Sequence, residues 1–463
     1  MNSVMTPVEG AEVRKQGWLD YRTVWRWHFY AGLLSIPFIL WLATTGSIYL
    51  FRPQIDRWLD RPYDSLDIHG SPRAASAQVQ AAVDAVPGSS LHHYQLPRTN
   101  RSAIQIIVGR GSDEFRVYVH PQTLQILKVI NDDHRPMMVV FHLHGELLMG
   151  DRGSMVIELA GSWAVIMILT GLYLWWPRQV KSLAGVFYPR FFRGQRIFWR
   201  DIHAVTGIWI SLLALFLLMT GLPWATNWGK YLEAVRKLTG TQASQEEWSA
   251  GRSSELAQHA ALNAQPVPDA HAGHPGHARV MPSQFQALDA MIATVVPLNL
   301  AYPVQISPPS APGRFWTAIS DSQNRTLHDK VFLDPVTGAM RGRQNFGQQI
   351  WIDRWILIGV AAHEGQLFGI ANQLLGLFTT CGLITLSVSA LVLWWRRRPN
   401  GVLGAPMAIG KQRFTFGLVV VIVGLGLYLP AFGLSLIAVA ITERFLLRRL
   451  PPAQKWLGLQ AVS

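Results

Sequence analysis

Residues 25–46 read WRWHFYAGLLSIPFILWLATTG, and residues 200–221 read RDIHAVTGIWISLLALFLLMTG. Both are apolar over a membrane-spanning length, since about 20 apolar helical residues cross a hydrocarbon core about 30 Å thick. Laid over one another, they put His28 on His203, Gly32 on Gly207, and Thr45–Gly46 on Thr220–Gly221. A second pair of segments repeats in the same way. HGELLMG begins at His144 and HEGQLFG at His363, each with a glycine six residues on (Gly150, Gly369). The apolar run that follows closes on Trp-Trp-X-Arg (Trp175 to Arg178, Trp394 to Arg397), and every position of this second match is offset by 219. The chain is an internal duplication with four histidines in register.

Composition agrees with a membrane chain. Of 463 residues, 49% are hydrophobic and 15% charged, too little charge for a soluble chain of this length. The 19 tryptophans gather at the ends of apolar runs, as interface anchors do. A net charge of +13 would suit nucleic acid, but its placement argues against that partner. Arg and Lys crowd beside apolar segments, at Arg14, Lys15, Arg22 and Arg26, at Arg190 to Arg200, at Arg396 to Arg398 and at Arg444 to Arg449. That is the positive-inside pattern of a polytopic membrane protein. The one cysteine, Cys381, excludes a disulfide framework, a CxxC pair and covalent CxxCH haem attachment. The basic N-terminal region runs straight into a long span, which predicts an uncleaved first helix with its N-terminus in the cytoplasm.

The predicted order is a cytoplasmic N-terminus and first span (1–51), then an outer segment (52–154) that includes His144. A second span (155–177), a basic cytoplasmic loop (178–201) and a third span (202–224) follow. The second outer segment (225–369) contains His363 and precedes a fourth span (370–395) and another basic loop (396–413). Residues 414–447 are apolar but broken near Pro430. A two-helix hairpin there keeps the flanking arginines on one side, with 448–463 as a cytoplasmic tail. Both outer segments carry a helical stretch followed by alternating strand-like runs, SAIQIIVG and FRVYVHPQTLQILKVI in the first, FWTAIS and KVFLDPVTGAMRG in the second. The alternation predicts half-buried sheet with a helix across one face.

Same-side histidines can share one metal. His28 precedes Gly46 by eighteen residues, about 27 Å of helix, and His203 has the same relation to Gly221. Both therefore lie near the inner face, whereas His144 and His363 precede inward-running helices and lie near the outer face. Paired imidazoles on separate membrane helices suit the two axial positions of a haem iron. The pattern predicts two haems b, one on His28 and His203 and one on His144 and His363. Plain helix anchoring by interfacial histidines is the alternative. Gly32 and Gly207 suit either a flat macrocycle or close helix packing. His142 is an alternate ligand or a propionate contact.

Three further features stand apart. DAHAGHPGHARVM puts His271, His274 and His277 on a Gly/Pro-rich tether that suits Cu(II), Ni(II) or Zn(II), or is a solvated insertion. Glu158, inside the second span, is either functional or a hydrated helix cap. No GxGxxG, P-loop or HExxH pattern is present.

KVFLDPVTGAM resembles the end of a PepSY domain, and VYVHPQTLQIL is a degraded copy with His120 in place of the Asp and Leu124 in place of the Gly. WHFYAGLL, HGELLMGDRG, LYLWWPR, IHAVTGIW, HEGQLFG and LVLWWRRRP are similar to motifs of the PepSY-associated transmembrane family, over about residues 20 to 400. The resemblance implies a polytopic α-helical protein of the bacterial inner membrane, with a four-helix haem-binding core and two periplasmic α+β PepSY-like domains, to which the charge pattern adds the C-terminal hairpin. Members include di-haem ferric-siderophore reductases. The implied activity is electron transfer from a cytoplasmic reductase or quinol, across the lipid bilayer, to a periplasmic ferric-siderophore. The rival expectation is a non-enzymatic metal-binding or peptidase-modulating PepSY membrane protein.

Overall fold

The computed structural model describes residues 21–177, 182–241, 256, 285–309, 314–406 and 416–459. Two compact units form, one from residues 1–36, 162–211 and 388–463, the other from residues 37–161 and 212–387. The helices used below are α1 (Tyr21–Tyr49), α2 (Arg52–Asp60), α3 (Ala75–Ala85), α4 (Pro136–Glu146), α5 (Asp151–Trp175), α6 (Gln195–Gly221) and α7 (Thr226–Thr239). They continue with α8 (Leu288–Val295), α9 (Trp351–His363), α10 (Ile370–Arg397), α11 (Phe416–Tyr428) and α12 (Pro430–Phe445). Among the described residues five helices are long and apolar enough to cross a membrane: α1, α5, α6 with its following turn, α10, and Pro430–Arg449. Exposed leucines, phenylalanines and tryptophans along these helices, such as Leu212, Phe378 and Trp209, present the surface that lipid requires. The protein is a multi-pass membrane protein.

The apolar stretch near the C-terminus folds back on itself, where two spanning helices are expected from the sequence. A Cβ on Gly433 would lie 3.1 Å from the Gly426 Cα, although seven residues of straight helix cover about 10.5 Å. The reversal falls at Leu429, before Pro430, whose missing N–H favours a helix start. The arms are short: α11 has 13 residues, about 20 Å, and does not reach spanning length by itself. Trp163 of α5 holds α12 through its indole N–H, which donates to Ser435 Oγ (3.0 Å), and packs edge-on against Phe432.

Among the described residues eight strands belong to the second unit: β1 (Ser90–Gln95), β2 (Ile104–Arg110), β3 (Asp113–Val119), β4 (Ile126–Asn131), β5 (Val304–Ser307), β6 (Trp316–Ser320), β7 (Asp329–Leu333) and β8 (Met340–Asn345). Two separate α+β domains are expected from the sequence; instead the repeats join in one antiparallel sheet of order β4-β3-β2-β1-β5-β6-β7-β8. The joint is β1 on β5, with Tyr94 opposite Ile306 and Gln95 opposite Gln305. An unpaired β1 or β5 would expose a row of N–H and C=O groups, and pairing the two satisfies both edges. One core serves both repeats. Val79 and Ala82 of α3 and Leu288 and Met291 of α8 bury against Ile106, Val117, Ile306, Trp316 and Val331. The backbone N–H of Ala75 donates to Asp289 Oδ1 (2.9 Å), tying the two repeats' helices together.

The resemblance between the strand-ending turns is physical. Asp334 Oδ1 accepts the backbone N–H groups of Val336 and Thr337, and His120 Nδ1 accepts those of Gln122 and Thr123. Gly338 has φ +70°, and a Cβ there would lie 2.7 Å from the Met291 nitrogen. Leu124 occupies the matching left-handed conformation (φ 63°) at the steric cost that glycine avoids.

The opposite face of the first repeat's strands is also buried, by a polar network that alternation alone reads as solvent-facing. Arg116 donates from Nη1 to Gln95 Oε1 (3.0 Å) and Gln105 Oε1 (2.8 Å), and from Nε to Asp132 (2.7 Å). The Tyr118 hydroxyl donates to Asp60 of α2 (2.8 Å), and Arg135 pairs with Asp56 and Asp132. Burial favours a neutral Asp132, but the Arg116 guanidinium outweighs it and holds the carboxyl down to about 2.

Candidate functional site: two histidine pairs

In the first unit, His28 of α1 and His203 of α6 face each other with ring centroids 6.3 Å apart and planes at 77°. The His28 Nδ1 lies 2.9 Å from the Met167 carbonyl and 3.2 Å from Thr170 Oγ1, both on α5. The His203 Nδ1 lies 3.1 Å from Ser389 Oγ on α10. In the second unit, His144 at the end of α4 and His363 at the end of α9 stand 6.4 Å apart with planes at 80°. Their Nδ1 atoms lie 2.9 Å from Thr45 Oγ1 of α1 and 3.0 Å from Thr220 Oγ1 of α6. Burial, foremost, pulls the His144 and His363 pKa values down to about 4, so both rings are neutral at pH 7, as metal ligation requires.

Each histidine is placed by local sequence. Pro136 starts α4, supplying the fixed φ that suits a first turn, and α4 ends two residues beyond His144. His363 is the last residue of α9. The glycines six residues on, Gly150 and Gly369, have φ 58° and 61°, so each supplies the left-handed step that turns the chain into the next helix.

The sequence marked Thr45–Gly46 and Thr220–Gly221 only as matching points of the repeat, and it did not mark Thr170–Gly171; all three lie beside the rings. Gly171, next to Thr170, would put a Cβ 3.0 Å from His28 Cε1; Gly46, next to Thr45, 3.1 Å from His144 Cε1; Gly221, next to Thr220, 3.4 Å from His363 Cε1. A hydroxyl residue followed by a small residue therefore seats each imidazole, and Ser389–Ala390 fills that place for His203. The 219-residue offset carries Thr170–Gly171 onto Ser389–Ala390, so the repeat contained the signal. Gly32, expected to admit a macrocycle or a neighbouring helix, would meet only Met167 Sδ at 3.7 Å, an ordinary packing distance.

The remaining candidates separate from these pairs. His142 lies between Asp133 (3.4 Å) and Glu146 (3.2 Å), and His144 is the residue that faces His363. Glu158 Oε2 accepts the backbone N–H groups of Asn227 and Trp228, and Ser154 Oγ accepts that of Thr226; Glu158 is a cap for the N-terminus of α7. His271, His274 and His277 lie outside the described residues.

The pairs fit a metal held by two imidazoles. Rings bound through Nε2 at about 2.0 Å each, with centroids about 1.1 Å further out, stand about 6.2 Å apart, close to both observed separations. Nδ1 is already engaged in all four rings, which leaves Nε2 as the ligating nitrogen, the arrangement that metal-binding histidines favour.

Fold and site together define a polytopic helical membrane protein with an antiparallel α+β part and paired histidines. The chain matches the family described as the PepSY-associated TM region over residues 25–397, and it belongs to that family. A search of curated proteins finds no match.

Proposed function

We propose that the protein is a b-type di-haem electron-transfer protein of the bacterial inner membrane, carrying electrons from the cytoplasmic side to a periplasmic acceptor. The observation that carries this reading is the spacing of both imidazole pairs, 6.3 and 6.4 Å, with Nδ1 of every ring engaged. His28 and His203 would hold one haem, His144 and His363 the other. Bound haem would supply reversible one-electron chemistry at each pair. The chain's own part is to hold four imidazoles in place and to seat them among apolar helices.

Orientation follows from charge. Arg22, Arg26, Arg190, Arg193, Arg196, Arg200 and Arg396 to Arg398 all belong to the first unit, and the positive-inside rule assigns their side to the cytoplasm. The donor is then a cytoplasmic reductase or a membrane quinol. The acceptor is a ferric-siderophore: its hard oxygen donors prefer Fe(III), so one-electron reduction to Fe(II) weakens the chelate and releases iron. Such an enzyme is a ferric-chelate reductase.

The test is an absorption spectrum of the detergent-purified protein, oxidised and dithionite-reduced, with haem quantified per chain. Two b-type haems with six-coordinate low-spin bands support the reading, and reoxidation by a ferric-siderophore extends it to the substrate. A haem-free protein, expressed with adequate haem supply, refutes it and favours a non-enzymatic PepSY membrane protein.

A further inference from the structure

Resting on the di-haem reading, we infer that Thr45, Thr170, Thr220 and Ser389 are positioning residues that lock the ligand imidazoles nearly perpendicular to one another within each pair. At three seats the hydroxyl is placed to donate along its own helix. The Thr45 hydroxyl donates to the Trp41 carbonyl (2.8 Å), the Thr170 hydroxyl to that of Ile166 (2.7 Å) and the Thr220 hydroxyl to that of Phe216 (2.7 Å). With its one proton donated along its own helix, each hydroxyl accepts from the histidine. The imidazole must then carry its proton on Nδ1, and the Nε2 lone pair faces the partner ring.

The same contact fixes rotation. An imidazole bound to a metal through Nε2 can spin about the metal–nitrogen axis, and the acceptors beside Nδ1 stop it: the hydroxyl at each seat, joined at His28 by the Met167 carbonyl (2.9 Å). The small residue after each hydroxyl lets Cε1 come close, which pins the ring from a second side. The two seats of a pair belong to different helices, α1 and α6 for the second unit and α5 and α10 for the first, and they clock the rings to 80° and 77°. Imidazole planes near perpendicular leave two iron d orbitals almost degenerate. A low-spin ferric haem in that field gives one strongly anisotropic low-field electron paramagnetic resonance signal. Near-parallel planes split the orbitals and give a resolved rhombic triplet.

The experiment uses the full-length protein in detergent, with haem content, resonance spectrum and the potentials of both haems as readouts. The variants are Thr45→Val with Thr220→Val, and Thr45→Ser with Thr220→Ser. Valine keeps the shape and removes the hydroxyl acceptor while leaving the backbone carbonyls in place; serine keeps the hydroxyl, as Ser389 does natively. Wild type should give strongly anisotropic signals from both haems. The valine variant should keep two haems, move one signal toward the rhombic form and raise that haem's potential, because an Nδ1–H that loses an acceptor donates less charge to iron. Serine should restore both properties, and the haem on His28 and His203 should stay unchanged as an internal control. Two haems with a rhombic triplet in wild type, or a valine variant spectroscopically identical to wild type, overturns the inference and leaves the di-haem reading standing. A wild-type protein without haem overturns both.

Discussion

The seats beside the imidazoles make a graded steric prediction. Replacing Gly171, Gly46 or Gly221 by alanine adds one methyl group at 3.0, 3.1 or 3.4 Å from the Cε1 of His28, His144 or His363. Carbon atoms pack best at about 3.5–4.0 Å, so the ring must retreat by about 0.5 Å, about 0.4 Å and about 0.1 Å respectively. Metal–ligand distances tolerate about 0.2 Å. Gly171→Ala and Gly46→Ala exceed that tolerance and Gly221→Ala does not. Disturbing the support of a ligand typically weakens metal binding by about 10-fold or more, so on the di-haem proposal haem content should fall toward one per chain in the first two variants and stay at two in the third. Misfolding is a poor alternative explanation, because exchanging glycine for alanine inside a helix adds about 0.5–1 kcal/mol of stability. The assay is haem per chain by pyridine haemochromogen after gel filtration, with far-ultraviolet circular dichroism as the folding control. Equal haem content in all three variants, or the greatest loss in Gly221→Ala, would refute the steric ranking.

Three more outcomes are expected. The depressed Asp132 pKa, from 3.8 to about 2, corresponds to about 2 kcal/mol of folding free energy, fully present above about pH 4 and lost as pH falls toward 2. Asp132→Asn should speed hydrogen exchange in β3 about 30-fold at pH 6 and abolish its dependence on pH between 4 and 2; unchanged exchange would place the network outside the stability of the sheet. Glu158→Ala should cost about 1–2 kcal/mol at the start of α7, seen as faster exchange at residues 226–230, with haem content at two per chain. His120→Asp, which copies Asp334, should slow exchange at Gln122 and Thr123 several-fold, since a carboxylate is the stronger acceptor; faster exchange there would show that the two turns are not equivalent.

Much of the site was legible because the duplication writes it twice. His28 and His203 share a spacing to Thr-Gly, and His144 and His363 share an offset, so registering the repeats pairs the rings before any coordinates exist. The hydroxyl seats lay in the same register but carried no distinguishing signal, because Thr and Ser in membrane helices commonly bond to their own backbone. Thr45 and Thr220 do that and serve a histidine as well. The strands were legible from alternation, which specifies faces but not neighbours. The pairing of Tyr94 with Ile306 joins residues 212 apart in sequence, and nothing local to either strand announces it. Gln95, Gln105 and Arg116 were misleading for a related reason: polar residues on alternate positions look solvated until α2 and the 132–135 segment cover them.

The β1–β5 joint has a bearing on ancestry. The strand order reads the same from either edge once the repeats are exchanged, and an antiparallel pair at its centre is the contact that two identical half-chains make around a two-fold axis. Each histidine pair likewise takes one member from each repeat. A half-length chain with one span on either side of a four-stranded sheet could therefore have built the same sites as a homodimer. In such a dimer every change strikes both halves of a site at once. Fusing the halves lifts that constraint, and the departures are visible where Ser389–Ala390 replaces Thr–Gly and where His120 and Leu124 replace Asp and Gly. Joining the copies allowed the two sides of one histidine pair to be tuned independently.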